Sequence, residues 1–393
     1  SLLNVFVEIF YYKNCIPASI LMALKSPLYN LHRELGARFT EFAGFEMPIQ
    51  YTSIRDEHLT VRKTVGIFDV SHMSNVWITG EGAEKLISLS TVEDASRIAD
   101  GKSQYTAILK EDGTIIDDTI FMHLGEKYMM IPNAGMADIV TKWLNDKAAE
   151  YDICAKAENV STEYVIIAVQ GPKARDTLQK LTKIDLNTVG FFACQYIEIA
   201  GVNCIISHTG YTGELGFELQ INPTSVAEKV FRKILEAGKE FGIKPIGLGA
   251  RDTLRLEKCF ILAGNEFEGG RTPLEATMSW TINWNHDFIG KKALLKQKEK
   301  GDYERLTCLL CTDKGIPRHG CEIRKDGKNV GMVTSGTLSP CLNTGIAMGY
   351  IKPEFREKDT ILEIIVRDKP VKAKVVKPPF VQKDWIQQNQ GNI

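Results

Sequence analysis

The sequence predicts an α+β fold that ends in a separate all-β module. Before residue 296, short strand-like runs, often closed by glycine, alternate with a few helical patterns, less regularly than in a βαβ series. From residue 306 onward, short apolar runs follow one another between Gly and Pro turns, which is typical of a small barrel or jelly roll. A chain of 393 residues is also long enough for two or three domains with sizeable cores.

The individual elements follow from the spacing of apolar residues. Helical spacing predicts helices over 82–90, 134–150, 173–181, 225–241 and 247–257. Apolar runs bounded by turn residues predict strands over 76–80, 165–172, 306–311, 330–334, 346–351 and 361–366. The Lys- and Glu-rich stretch 296–305 marks the change from the mixed part of the chain to the all-β part.

A hairpin over residues 105–122 carries the most informative pair of side chains. Asp112-Gly113 joins two apolar runs, and such a pair favours a tight turn with positive φ at both central positions. Asp117 and Asp118 follow in the second strand, where neighbours point to opposite faces, so we expect only one of them to face a given cavity. A carboxylate there could act as base, cation stabiliser or hydrogen-bond acceptor. The alternative is an edge strand with both acids in solvent.

Composition excludes several classes of protein. Lys and Arg number 48 against 49 Asp and Glu, so the net charge of −1 gives no overall field to attract nucleic acid or an anionic membrane. No apolar run reaches the ~18 residues of a membrane helix. Nine scattered cysteines indicate reduced thiols in an intracellular compartment. Cys308 and Cys311 have metal-like spacing, but no second pair accompanies them and they face opposite ways in a strand, so we expect no metal.

Two segments have both a ligand-binding and a structural interpretation. The glycine-rich stretch 207–219 lacks the lysine of a phosphate loop. It is either a loop whose backbone approaches a ligand closely or a plain hairpin. Its Glu218 side chain would accordingly face either the ligand or solvent. In the helix 247–257, Arg251 and Arg255 lie one turn apart, where like charges repel. A protein carboxylate such as Glu257, or an anionic ligand, is expected to balance them.

Three further side chains are candidates for lining a site. The segment 68–73 contains a histidine next to Met73, and a lone histidine is commonly structural. Asn133 could hydrogen-bond a heterocycle or cap the helix that follows. Trp385 could stack on a ligand or pack between domains. The local sequence suggests no Ser-His-Asp or Cys-His triad.

Ten short segments of the chain, some of them described above, form an ordered set. They are 27–29, 42–51, 66–73, 113–118, 133–135, 170–172, 210–214, 247–257, 272–275 and 335–340. In this order they resemble the aminomethyltransferases, the T-proteins of the glycine cleavage system, from about residue 27 to the end of the chain. Each motif alone is moderately specific for this family, whereas the ordered set is strong evidence for the resemblance.

The resemblance implies a three-domain cloverleaf with folate in its central opening: two mixed α/β lobes with antiparallel sheets and a C-terminal β-barrel. The domains it implies are a discontinuous folate-binding lobe at 28–65 and 156–295, a second folate-binding lobe at 66–155, and a barrel domain at 300–393. Residues 1–27, which are rich in apolar residues and contain Glu8 as their single acid, are either a targeting remnant or a disordered tail. It also implies transfer of a methylene group from the aminomethyl-dihydrolipoyl arm of a carrier protein to tetrahydrofolate, with release of ammonia.

The resemblance further implies partners and site residues. Tetrahydrofolate is the co-substrate, without metal or flavin, and the partners are the lipoylated H-protein and other glycine cleavage components, with no nucleic acid and no membrane. The location is the mitochondrial matrix in a eukaryote and otherwise the cytoplasm. Asp118 matches the essential carboxylate. The residues that match folate-binding positions are Met73, Tyr105, Ile131, Asn133, Tyr211, Glu218, Arg251 and Trp385.

Other functions of the same scaffold remain as alternatives. Dimethylglycine or sarcosine dehydrogenases need a flavin domain, and the chain has no G-x-G-x-x-G after a strand. A non-catalytic folate-binding protein would carry a Lys-Gly-Cys-Tyr-x-Gly-Gln-Glu segment, which is absent from the sequence. A tRNA-modifying relative would show a basic stripe, and the balanced charge argues against one.

Overall fold

The computed structural model describes residues 23–267 and 269–382. Its strands are β1 (Leu24–Lys25), β2 (Arg38–Phe42), β3 (Phe45–Gln50), β4 (Gly66–Asp69), β5 (Val76–Thr79), β6 (Ser103–Leu109), β7 (Ile115–Leu124), β8 (Lys127–Ile131), β9 (Lys156–Asn159), β10 (Val165–Gln170), β11 (Cys194–Ile199), β12 (Val202–Ser207), β13 (Gly216–Ile221), β14 (Lys244–Pro245), β15 (Arg305–Cys311), β16 (Glu322–Lys325), β17 (Lys328–Leu338), β18 (Gly345–Ile351), β19 (Ile361–Val366) and β20 (Lys369–Val376). Its α-helices are α1 (Tyr29–Glu34), α2 (Ile54–Lys63), α3 (Ala83–Ser90), α4 (Ala137–Glu150), α5 (Ala174–Gln179), α6 (Ala227–Gly238), α7 (Leu248–Glu257) and α8 (Lys291–Lys300).

A six-stranded sheet in the order β11-β12-β13-β10-β4-β14 forms the first lobe. Its strands are antiparallel except for the short β4–β14 pair. Every residue of β10 is buried, because both faces of this strand are covered. Val165 and Ile167 pack in the cluster that contains α6, whereas Ile166 and Ala168 pack with α2 and α7. Burial on both faces explains why β10 is a continuous apolar run.

The second lobe is a five-stranded antiparallel sheet in the order β6-β7-β8-β5-β9. Apolar residues of α3 and α4, such as Leu86 and Leu144, pack in its core. The predicted hairpin is the β6–β7 pair, although its turn differs from the expected one. Gly113 has a φ of +84°, but Asp112 does not lie in the left-handed region. The connection spans 110–114, and Asp112 accepts a hydrogen bond from the Thr114 amide at 2.9 Å.

The C-terminal strands close into a six-stranded barrel in the order β15-β18-β17-β16-β19-β20, as the sequence predicts. Leu309, Ile323 and Ala347 fill its interior. A second apolar cluster joins the barrel to the lobes, because Met348 and Tyr350 of β18 pack in one core with Leu109 and Leu256. The barrel is therefore fixed against both lobes by a shared core.

The pairing of β4 and β9 indicates where the chain passes from one lobe to the other. The domain boundaries themselves stay a proposal. Strand β4 begins at Gly66, where we expected the second lobe to start, yet it pairs with β10 in the first sheet. Strand β9 begins at Lys156, where we expected the first lobe to resume, yet it pairs with β5 in the second sheet. Pairing would move both boundaries toward the C-terminus, into 70–75 and 160–164.

A short parallel pair lies near the N-terminal end of the described residues, where β1 pairs with β3. A three-stranded sheet in the order β1-β3-β2 results. Most of the predicted N-terminal extension 1–27 lies outside the described residues. None of the helices in the described ranges has both the length and the apolar character needed to cross a bilayer.

Candidate active site

A central cavity of about 2510 Å³ lies among the two lobes and the barrel. Both sheets line it, together with α7, the loop after β12 and the barrel strand β17. The predicted site residues that the structure describes all line this cavity: Met73, Tyr105, Asp118, Ile131, Asn133, Tyr211, Glu218 and Arg251. Trp385, the remaining predicted residue, lies outside the described residues.

Asp117 and Asp118 lie side by side on β7, which is an inner strand between β6 and β8. Both are buried, so the alternative of an edge strand with solvated acids is wrong. Both also line the cavity, contrary to the expectation that only one would. Asn133, which follows β8, links the two acids, because its side-chain amide donates to Asp117 Oδ1 at 2.8 Å and to Asp118 Oδ1 at 2.7 Å. One amide thus bridges two neighbouring carboxylates.

The second oxygen of Asp118 has a different donor. The Tyr105 hydroxyl on β6 donates to Asp118 Oδ2 at 2.7 Å. The Tyr105 ring in turn stacks on the Trp280 ring, with a centroid distance of 5.8 Å and an interplanar angle of 23°. Sequence reasoning missed Trp280, which lies in a short 3-10 turn far along the chain and has no motif around it.

Burial sets the protonation states of the two acids. Loss of water raises the pKa of the Asp118 carboxyl to about 6, although the hydrogen bonds from Tyr105 and Asn133 counteract the rise. Burial and the neighbouring Asp118 charge raise the pKa of Asp117 well above its usual range. Burial thus favours the protonated form of both acids, and the hydrogen bonds from Tyr105 and Asn133 favour the charged form of Asp118.

Asn133 does not cap the following helix. Helix α4 begins at Ala137 with Met136 at its N-cap, and the Asn133 side chain points to the acids instead. Its backbone amide also donates to Asp117 Oδ2, at 2.9 Å. Asn133 therefore serves the site and not the helix end.

The two arginines of α7 have different surroundings, and Glu257 pairs with neither of them. Arg255 is balanced by Asp252 at 2.8 Å and by Glu266 at 3.3 Å. Arg251 has no carboxylate at ion-pair distance among the residues that the structure describes, and its guanidinium lies 4.6 Å from the centre of the Tyr211 ring. Burial lowers the pKa of Arg251, but a guanidinium stays protonated at neutral pH. Arg251 therefore brings a positive charge to the cavity wall, and the Glu218 carboxylate stabilises that charge without reaching ion-pair distance.

The glycine-rich segment is the hairpin between β12 and β13, and it also lines the cavity. Two of its glycines pack closely on Gln170, because a Cβ at Gly210 or Gly216 would lie 2.0 Å or 2.3 Å from the end of this side chain and would force it to move. Glu218 on β13 accepts a hydrogen bond from the Thr209 hydroxyl at 2.6 Å. Glu218 thus faces the cavity and not bulk solvent.

His72 lies beside Met73 and is buried against Phe42, which its ring meets edge-on. Burial and the charge of Arg251 lower the pKa of His72 to about 3, so its imidazole is neutral. Its Nδ1 atom has no hydrogen-bond partner within the described part of the protein. A structural interpretation of this histidine fits its burial.

Possible metal ligands are engaged in other contacts. Cys308 and Cys311 pack in two different apolar clusters, and Cys308 Sγ lies 3.1 Å from Cys259 Sγ. Another group, His58, Glu257 and Cys341, has donor atoms within 4.8 Å of one another. Glu257 Oε2, however, already accepts hydrogen bonds from His58 at 2.9 Å and from Arg62 at 3.0 Å. This group is best described as a buried hydrogen-bond network.

Comparison with known families and proteins agrees with this geometry. Residues 28–286 match the GCVT N-terminal domain, and residues 304–382 match the glycine cleavage T-protein C-terminal barrel domain. An aminomethyltransferase of Halothermothrix orenii is 41% identical over 91% of this chain and 99% of its own. Another, from Bacteroides thetaiotaomicron, is 44% identical over 90% of this chain and 99% of its own.

A solved structure gives the same result for the fold. The glycine cleavage system aminomethyltransferase T of Bartonella henselae superposes with a TM-score of 0.85 at 31% identity, covering 92% of this chain and 99% of that one. These relatives are bacterial, and they give no support to the mitochondrial location that we expected for a eukaryotic source. On both sequence and fold, the chain belongs to the glycine cleavage T-protein family of aminomethyltransferases.

Proposed function

We propose that this protein transfers the methylene carbon of an aminomethyl group, carried on a dihydrolipoyl sulfur, to tetrahydrofolate. The products are 5,10-methylenetetrahydrofolate, ammonia and the free dihydrolipoyl thiol. Family membership supports the activity. The observation that carries the site assignment is the charged, buried Asp118 in the central cavity, held by Tyr105 and Asn133.

Asp118 is proposed to act on the reacting carbon and nitrogen. The methylene carbon loses its bonds to the dihydrolipoyl sulfur and to the departing ammonia nitrogen, and it gains bonds to two folate nitrogens. Positive charge with iminium character develops at this carbon during the exchange. A fixed carboxylate in a water-poor cavity stabilises such charge, and it can also accept the proton that the attacking folate nitrogen loses. The raised pKa of Asp118, about 6, suits a group that must accept a proton near neutral pH.

The remaining predicted residues are proposed to hold the folate. A pterin edge presents amide and amino donors, which the Glu218 carboxylate can accept, and Asn133 offers a further polar group near Asp118. The glutamate tail of folate is anionic, and Arg251 supplies a positive charge on the cavity wall that no described carboxylate contacts at ion-pair distance. Tyr211, Met73 and Ile131 provide aromatic and apolar surface.

The size of the cavity supports a reaction between two large substrates. At about 2510 Å³ it exceeds the roughly 300–1,000 Å³ of common small-molecule pockets. Folate and the end of a lipoyl arm could therefore occupy it together. The lipoylated H-protein is the proposed partner that presents this arm.

The competing function is a folate-binding protein without catalysis. Purified protein should be mixed with aminomethylated, lipoylated H-protein and tetrahydrofolate, and both ammonia and methylenetetrahydrofolate should be measured. An aminomethyltransferase releases the two products in equal amounts, and only when folate is present. Tight folate binding without ammonia release would contradict the proposal and favour the binder.

A further inference from the structure

We propose that Tyr105 is a positioning residue that holds Asp118 charged and directed at the substrates, and thereby sets the lower pH limit of turnover. The inference rests on the proposed role of Asp118. It assigns to the Tyr105 hydroxyl a task separate from lining the folate pocket.

The sheet register brings this hydroxyl to the carboxylate. Asp118 on β7 pairs with Ala107 on β6. Tyr105 lies two residues before Ala107, so Tyr105 and Asp118 are diagonal neighbours on the same face of the sheet. At this separation a tyrosine reaches across, and its hydroxyl lies 2.7 Å from Asp118 Oδ2.

The two donors hold the carboxylate from both neighbouring strands. Tyr105 donates from β6 to Oδ2, and Asn133 donates from the end of β8 to Oδ1. Rotation of the carboxylate about the Cβ–Cγ bond of Asp118 would break both hydrogen bonds. Each oxygen keeps a further lone pair, so the clamp leaves Asp118 able to meet a developing cation or accept a proton.

The Tyr105 ring is itself held in place. It stacks on Trp280, whose 3-10 turn (Ser279–Thr281) contacts β6. Trp280 is 71% exposed, so most of its surface is not used for core packing. The stack explains how a half-buried tyrosine keeps its hydroxyl on one carboxylate oxygen.

Burial, and to a smaller extent neighbouring charge, raises the pKa of Asp118, so this carboxylate needs donors to stay charged. Asp117 precedes it on β7, and the charge of Glu266, from the segment after α7, raises the pKa of Asp118. Burial and the Asp118 charge raise the pKa of Tyr211, which lies on the β12–β13 loop. The charges of Arg255 and Arg251 on α7 lower the same pKa. Among the described residues, Tyr105 and Asn133 are the side chains that donate directly to the Asp118 oxygens. A hydrogen bond to the charged form lowers a carboxyl pKa, so loss of one donor should raise it.

The test is Tyr105→Phe, which keeps the ring and removes the hydroxyl. We expect the acid limb of the turnover–pH profile to move from about 6 upward by about one unit. Below the new limit turnover falls, because protonated Asp118 neither stabilises a cation nor accepts a proton. Tyr128→Phe is the matched control, since Tyr128 lies on β8 of the same sheet, away from the cavity-lining set. Its acid limb should stay that of the wild type.

A second measurement is independent of activity. The Asp118 carboxyl is titrated by ¹³C NMR, with its signal identified by its absence in Asp118→Asn. An upward shift of this titration in Tyr105→Phe supports the inference. An unchanged titration in a variant that unfolds at the wild-type temperature overturns it, even if turnover has fallen. A wild-type protein that releases no ammonia would instead refute the proposed function, so the two failures are distinguishable.

Discussion

Asp117 and Asp118 are buried neighbours of the same residue type with different surroundings. Asp118 accepts hydrogen bonds from the Tyr105 hydroxyl and the Asn133 side chain, and its pKa is raised to about 6. Burial and the Asp118 charge raise the pKa of Asp117 well above its usual range. The resemblance pointed to Asp118, but strand alternation wrongly excluded Asp117 from the cavity. No local pattern could reveal Asn133 as the bridge, because the contact depends on where β8 ends.

Arg251 gives a residue-scale prediction about folate binding. Arg251→Ala should raise the KM for tetrahydrofolate by about 10-fold or more and change kcat less, since a hydrogen bond to a charged group contributes roughly 1.5–3 kcal/mol. Arg251→Lys, which keeps the charge, should have a KM for tetrahydrofolate between those of the wild type and Arg251→Ala. Steady-state kinetics with folate and H-protein varied in turn make the measurement. If only the constant for H-protein rose, Arg251 would belong to the carrier-docking surface.

At the scale of elements, a buried polar network joins α2, α7 and the loop before β18. Arg62 on α2 donates to Glu257 on α7 and to Glu214, while the Ser339 hydroxyl also donates to Glu257. The sequence predicted α7, and it suggested Glu257 as partner for an arginine on the same helix. The partner is Arg62 instead, nearly 200 positions earlier, and apolar periodicity carries no information about such a pairing.

This network yields a prediction about stability. Arg62→Ala should lower the free energy of unfolding by roughly 3–5 kcal/mol, because it leaves the buried Glu257 charge without its cation. The measurement is a urea denaturation curve. Arg232→Ala is the control, since Arg232 pairs with Glu34 and Glu228 at the exposed surface and its loss should leave the midpoint nearly unchanged. Equal midpoints for the two variants would contradict this account of the network.

At the scale of the whole molecule, the cavity depends on three units meeting around it. Glu266 is fully buried and accepts hydrogen bonds from Thr334 and Ser335 of the barrel strand β17 while it pairs with Arg255 of α7. Element types and the C-terminal barrel could be predicted from periodicity and turn residues. The packing of Trp280 on Tyr105, and of Glu266 on the barrel, could not, because these contacts join segments far apart in sequence.

The shared core predicts that the lobes need the barrel. A chain ending at residue 303 would expose the apolar cluster that Leu256 and Leu109 form with Met348, and it would leave Glu266 without its barrel donors. We expect this fragment to lack a cooperative unfolding transition and native near-UV circular dichroism. A monomeric fragment with both properties would show that the barrel is an independent addition.

The central claim is that a charged Asp118 drives the transfer. The most direct test is Asp118→Asn, with folate binding and ammonia release measured on the same preparation. Binding should stay within a few-fold of the wild type, and stability should not fall, because the variant removes one of two adjacent buried acids. The control is Asp112→Asn, an exposed aspartate of the same hairpin. We predict that turnover falls by a factor on the order of 10² or more in Asp118→Asn alone; near-normal ammonia release by that variant would contradict the claim.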